Sequence, residues 1–387
     1  MGGAGWRAIA LSIVALALTG CAGDVSTLDS PSPSSSSAQP IVDTTLATPK
    51  PLTSQLQTPE QLLDWMAANP GFWGMDVFDL HNHKEVFRHR RTDASPIAAA
   101  RGIIVLGAYA EAVAAGTLKV DERVQVSDVE RYNFPGADGG AHAAALADMT
   151  ATGRIAGGAL SLDDVAYAML RWGDPAATDY LQSRVGGTTG TSTFARFRQV
   201  PNLDAIGPVY GERAAWATLP LPDWAALSAA QRANRASQLA VSTTPALLAA
   251  LHLPTDQLQR QWALTTPADT PQEMARLMDE LYNEKNLDPA AASLITRQLE
   301  WSLKAAPDIG TRFAHPGIVH GDIPGVVTET SYLVPVNADG ESISLMFRGL
   351  PADVQAAMRA SGVVSTFCLR LADDVVFLSA VATRIPN

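Results

Sequence analysis

Ser95-Pro96-Ile97-Ala98-Ala99-Ala100-Arg101-Gly102-Ile103-Ile104-Val105-Leu106-Gly107-Ala108-Tyr109 carries a proline near its start and then a largely apolar body that runs on as AEAVAAGTL. Proline suits a first helical turn, where an N–H would have no partner anyway, and a helix apolar around most of its circumference belongs inside a domain. On its N-terminal side, residues 59–69 read as a helix, 73–80 (WGMDVFDL) as a half-buried strand and 85–89 as the returning strand of a hairpin, with His81-Asn82-His83 as the turn. The two turn histidines have no carboxylate or cysteine at ligand spacing and read as polar turn residues, so neither a metal nor any other cofactor is expected. On its C-terminal side, residues 162–172, 176–185, 244–251 and 271–283 show amphipathic or apolar helical spacing. Strand character returns at 326–336 and 342–348 around the turn Asn337-Ala338-Asp339-Gly340, and 351–361 reads as a last helix. Strands at both ends with helices between them imply an α/β (α+β) fold, with an antiparallel sheet flanked by helices and an all-helical lobe. The expected division is an α/β lobe of residues 57–118 and 305–387 and a helical lobe of residues 119–304.

This arrangement resembles the fold of the serine β-lactamases and penicillin-binding proteins, and four segments in order carry the resemblance. P-I-A-x-x-x-x-I-I-V-L-G-A-Y-A-E-A-V-A-A-G after the hairpin looks like that family's central helix. S-L-D-D-V-A-Y-A-M-L-R-W-G-D-P-A-A-T-D-Y-L looks like the segment holding its second motif, Thr270-Pro271-Gln272-Glu273-Met274-Ala275-Arg276-Leu277 like a helix start after its omega loop, and Gly321-Asp322-Ile323-Pro324-Gly325-Val326 like the turn after its third motif.

The resemblance implies an active site, and this sequence departs from it at each reactive position. The family uses a serine at the start of the central helix and a lysine one turn later on the same face. Aligned on the flanking residues, those positions are Ala99 and Gly102; a register one residue earlier gives Ala98 and Arg101 and still no serine. The Ser-Asp-Asn motif falls on Gly173-Asp174-Pro175, keeping only the aspartate, and Lys-Thr-Gly on Val319-His320-Gly321, keeping only the glycine. None of the five lysines, Lys50, Lys84, Lys119, Lys285 and Lys304, has a serine three residues before it, and Ser-x-Asn, Lys-Thr-Gly, Gly-x-Ser-x-Gly and His-Glu-x-x-His occur nowhere. Loss of the nucleophile of a serine hydrolase costs on the order of a millionfold in turnover.

The N-terminus speaks for location. Residues 8–18 (AIALSIVALAL) follow Arg7 and form an apolar run of eleven, the length of an export-signal core and short of the roughly 20 residues a membrane span needs. The run ends in Leu18-Thr19-Gly20-Cys21, which resembles a bacterial lipobox. Residues 1–21 are therefore expected to be a lipoprotein signal with Cys21 as the lipid attachment site, the lipid chains giving a palmitate-type anchor on the extracytoplasmic face of the cell membrane. Residues 22–56, rich in Ser, Thr and Pro, are expected to form a disordered tether reaching roughly 30 Å. Cys368, within VVSTFCLRL, reads as a buried small hydrophobe. With 28 basic against 39 acidic residues and a net charge of -11, the chain lacks the footprint of a nucleic-acid binder.

Two readings follow. In the first the chain is a pseudoenzyme, a cell-envelope binding or scaffolding protein whose emptied cleft holds a cell-wall peptide or an envelope protein, with Arg101 and Trp172 as cleft-lining candidates. In the second it is a serine hydrolase, of β-lactamase or D,D-peptidase type, with relocated chemistry drawn from Ser95 and from His320 with Asp174. Arg101 and Asp174 are also candidates for a structural ion pair.

Overall fold

The computed structural model of the chain describes residues 49–385, apart from 51, 53, 54, 245, 246, 248 and 249. Cys21 and the signal lie outside the described residues, as does half of the helix expected over 244–251.

Five strands form the main sheet. β1 (Trp73–Asp79) pairs with β2 (Glu85–His89) in the expected hairpin, and three short strands follow: β3 (Ser95–Pro96), β4 (Arg123–Gln125) and β5 (Ala159–Ser161). β6 (Ala268–Asp269) precedes the three late strands β7 (Phe313–Ile323), β8 (Val326–Pro335) and β9 (Glu341–Phe347). The main sheet runs β2-β1-β9-β8-β7 and is antiparallel throughout, so β1 and β9 join the two ends of the sequence in register, Met75 opposite Leu345. Alternation along each strand splits the sheet into two faces. Met346, Tyr332 and Val319 enter one core with the central helix Arg101–Ala114, while Leu345, Phe347 and Ile318 enter a second with the helices Pro59–Ala68, Val363–Asp373 and Val375–Arg384. Cys368 is buried in that second core.

The central helix lies inside the protein, with Ile103, Ile104, Val105, Leu106 and Tyr109 fully buried. Their burial contributes roughly 10 kcal/mol as an upper bound. Gly107 permits this packing, because a Cβ there would overlap the ring of Phe194 on the helix Gly187–Phe197.

Three features differ from expectation. β7, the 11-residue edge strand, is interrupted in sequence by His315, Pro316, Gly317, His320 and Gly321, which mask its pattern; an edge tolerates such residues because one side of its ladder is unpaired. The segment expected as tether is engaged with the body at its end: Leu56 is 1% exposed within the second core, Leu52 packs against that core, and the Lys50 N–H donates to Asn69 Oδ1 at 2.7 Å. The lobe expected to be all-helical contains the β4–β5 ribbon, and its helix Pro271–Tyr282 packs Met274, Leu277 and Met278 into the sheet core with Met346.

Candidate functional site

The central helix begins irregularly. A 3₁₀ turn, Ala98–Ala100, precedes Arg101–Ala114, and Ala98 has φ +47°, a left-handed conformation that costs a residue with a Cβ on the order of 1 kcal/mol or more. The surroundings impose it. Ile97 N–H donates to Pro267 O at 3.0 Å, and Thr328 Oγ1 on β8 donates to Ile97 O at 3.3 Å. β7 closes on the same turn at Gly321, where a Cβ would lie 2.8 Å from Ala99 N and 2.9 Å from the Ala98 Cβ. Only a glycine fits that approach.

The second segment arrives through helix ends. Leu162–Trp172 starts with a Ser161–Asp164 capping box and stops at left-handed Gly173; Asp174 then caps Pro175–Arg184 by accepting from Ala176 N–H at 2.9 Å, with proline in the first position. A Cβ on Gly173 would lie 3.2 Å from the Ala99 Cβ and 3.8 Å from His320 O. The three segments singled out from the sequence therefore converge on one point, at Ala99, Gly173 and His320, and that point carries no nucleophilic side chain. One turn further on, a Cβ on Gly102 would face Met169 Cγ at 3.3 Å and Leu170 Cδ2 at 3.6 Å.

The side chains that could have supplied a base point elsewhere. His320 Nδ1 lies 2.9 Å from Glu329 Oε2, which also accepts from Ser365 Oγ at 3.0 Å, while its neighbour Val319 is buried in the opposite core. Asp174 Oδ2 lies 2.9 Å from Nδ1 of buried His142. Burial opposes a charged His142, but the hydrogen bond and charge of Asp174, with Asp138 and Glu130 beyond, outweigh it and raise its pKa. His320 and Asp174 thus belong to two separate pairs. Ser95 is 1% exposed on β3, where it stands opposite Asp269 of β6, and its Oγ lies 3.5 Å from Arg348 Nη1.

The expected Arg101–Asp174 ion pair is corrected. Arg101 makes a two-point pair with Glu212, Nη1 to Oε1 at 3.1 Å and Nη2 to Oε2 at 3.0 Å, and both residues are buried. Asp174 is already committed to His142 and to its helix cap, and Glu212, on the helix Val209–Thr218, offers the bidentate geometry guanidinium prefers. Trp172 packs against the central core with Arg171 over its ring and does not line the small cavity beside Ala99 and Gly173.

Ala98, Ala99 and Gly173 form part of the wall of a small cavity of about 50 Å³, which Arg101, Glu212 and Arg213 also line. The hydroxyls at this cavity, Thr178 and Thr266, donate to the carbonyls of Asp174 and Ala263 at 2.8 and 2.7 Å. The arrangement can hold a small polar group; it presents no paired nucleophile and base. Sequence reasoning missed Glu212, Arg213 and His142. A signal existed for the first two, since Glu212-Arg213 interrupts the otherwise apolar helix VYGERAAWA.

A family model described as "Beta-lactamase enzyme family" matches residues 57–315. Among solved structures, a variant of the last common ancestor of Gram-negative bacteria β-lactamase class A aligns over 82% of this chain and 96% of its own, at 16% identity and TM-score 0.50. The ancestral protein itself aligns over 81% and 98%, at 13% identity and TM-score 0.50. At such identities the likeness speaks for the fold alone. No curated protein sequence matches this chain.

Proposed function

The chain belongs to the β-lactamase enzyme family, and from that premise we propose that it keeps the family's fold without its turnover: a lipid-anchored protein of the cell envelope that binds a cell-wall peptide or an envelope protein in its cleft. The observation that carries this reading is the meeting of Ala99, Gly173 and the His320 backbone at the point where the resemblance expects a nucleophile, with glycine again at position 102 where it expects an amine. Packing residues around that point keep it in shape, including a glycine at position 321 and a strained turn at Ala98, while the reactive groups are missing. The relocated-hydrolase reading finds little support, because its base candidates are split between Glu329 and His142.

Attachment through Cys21 outside the cytoplasmic membrane is part of the same proposal. It rests on the lipobox-like Leu18-Thr19-Gly20-Cys21; among the described residues no helix is long and apolar enough to cross a membrane. The test is treatment of the detergent-extracted protein with a fluorescent penicillin, with nitrocefin turnover read alongside and the intact mass read for acyl chains. The expected result is a lipid mass on Cys21, no covalent penicillin and no turnover. A penicillin adduct on any serine would overturn the non-catalytic reading, and an unmodified secreted chain would overturn the anchor.

A further inference from the structure

The last helix, Val375–Arg384, turns an uncharged face outward. Phe377, Val381 and Ile385 point into the second core, which leaves Val375, Val376, Ser379, Ala380, Ala382 and Thr383 exposed. That face bears no charge until Arg384, which is paired with Asp64. A surface helix ordinarily sets charged and polar residues opposite its buried stripe. Val375 and Val376 are 77% and 74% exposed and, among the described residues, are the only adjacent pair of exposed large apolar side chains. The charges at the rim are balanced, Arg370 by Glu60 and Asp374 and Arg312 by Asp373. What remains toward solvent is a small, neutral, apolar surface.

The fold fixes which way this surface looks. The helices Pro59–Ala68, Val363–Asp373 and Val375–Arg384 share the second core on one face of the main sheet and are tied by the Glu60–Arg370 and Asp64–Arg384 pairs, whereas the central helix lies on the other face. The chain enters on the same layer: Lys50 N–H is bonded to Asn69 at the end of Pro59–Ala68, and Leu52 and Leu56 pack on the second core. Cys21 lies 29 positions before Lys50, a length that a flexible chain spans in roughly 30 Å. An anchor at Cys21 therefore holds this layer within reach of the lipid, and such tethering raises the local concentration enough for a weak contact to form.

We propose that the outward face of Val375–Arg384 rests on the lipid surface, with Val375 and Val376 set among the headgroups, so that the site on the far side of the sheet is turned away from the membrane. The inference rests on the reading that Cys21 is acylated, and it adds an orientation to that anchor. Two valines hold no protein on a bilayer by themselves; the tether supplies the proximity. Because the rim charges are paired, the contact needs no anionic lipid and is insensitive to salt.

The test uses the acylated protein reconstituted into phosphatidylcholine vesicles. Ser379→Cys, on the same face, carries an environment-sensitive fluorophore, and Cys368 is buried and does not compete for the label. The expected result is a blue-shifted emission, unchanged by salt and quenched at least about twofold by lipids with a nitroxide on the acyl chain. Val375→Asp/Val376→Asp should abolish the shift and the quenching, and Val375→Ala/Val376→Ala should weaken them; if the aspartate pair does not fold, the alanine pair decides. An unquenched label on protein that carries acyl chains and floats with the vesicles would overturn the assignment, as would quenching that the aspartate pair leaves intact. A blue shift that grows with protein density and ignores the nitroxide lipid would give the face to a second copy of this chain and overturn it likewise. A chain without acyl mass that fails to float would overturn the anchor itself, so the two failures are distinguishable.

Discussion

Gly173 stands so close to Ala99 that a Cβ on the glycine would lie 3.2 Å from the Cβ of the alanine. A hydroxyl restored at Ala99 would therefore be placed at the convergence of the three segments, where the carboxylates that share the cavity wall are already engaged, Glu212 by Arg101, Asp322 by Arg359 and Asp138 by backbone N–H groups. Gly102 brings no amine one turn later, and the cavity's threonine hydroxyls donate to backbone carbonyls. Ala99→Ser is expected to fold and to remain unacylated after prolonged exposure to penicillin, as read by intact mass. An adduct would mean that a base lies within reach after all.

The Arg101–Glu212 pair is buried, and its energetics follow from desolvation. Removing one partner strands the other charge, which costs about 3–5 kcal/mol, whereas replacing both by apolar residues of similar volume costs far less. Arg101→Met and Glu212→Gln should each lower the urea midpoint strongly, with Glu212→Gln the worse because it leaves Arg101 beside Arg213. The double variant Arg101→Met/Glu212→Leu should recover much of the loss. Additive losses in the double-mutant cycle would show that the two residues do not act as a pair.

Asp174 has two tasks, capping Pro175–Arg184 and pairing with buried His142. Asp174→Ala removes a cap worth about 1 kcal/mol and unpairs the histidine, for a total loss of about 2–4 kcal/mol. Because His142 binds its proton more tightly in the folded protein than the ordinary 6.5, the pair's contribution is complete below that pH and is lost as pH rises through the elevated value. His142→Gln should reduce the stability difference between pH 6 and pH 9, measured by urea unfolding. An unchanged difference would assign that pH dependence to other groups.

The parts of the fold most legible in the sequence were those whose pattern is local. Glu85–His89 and Leu162–Trp172 fall where alternation and helical spacing put them, and β1, β8 and β9 within a residue. β7 was hidden because an edge strand that carries proline, glycine and histidine has no alternation to read. At the site, the positions Ala99, Gly173 and His320 were found because the segments around them keep their order. The polar partners were not, since each pair is made by chain folding: Glu212 lies 111 residues from Arg101, and His142 lies 32 from Asp174. Spacing along the chain carries no record of such contacts, and a charged residue inside an apolar helix signals only that some partner exists.

Glu341 opens β9 directly opposite Asp79 on β1, a like-charge cross-strand pair, and its Oε2 has no hydrogen-bond partner. Burial first, and then the Asp79 charge, push its carboxyl up to about 7 from 4.5. The folded protein therefore holds a proton there that the unfolded chain releases, so the group's contribution to stability is intact below about pH 4.5 and lost as pH rises through about 7. Asp76, Asp179 and Asp269, raised by burial to about 6, 7 and 6, act in the same direction, so the wild-type protein should lose stability between pH 4 and pH 7. Glu341→Gln never acquires the charge. It should match the wild type near pH 4 and exceed it by about 1–3 kcal/mol at pH 8, with a correspondingly smaller pH slope between. A variant that follows the wild-type curve throughout would mean that Glu341 titrates normally, with water reaching the carboxylate that burial was argued to dry.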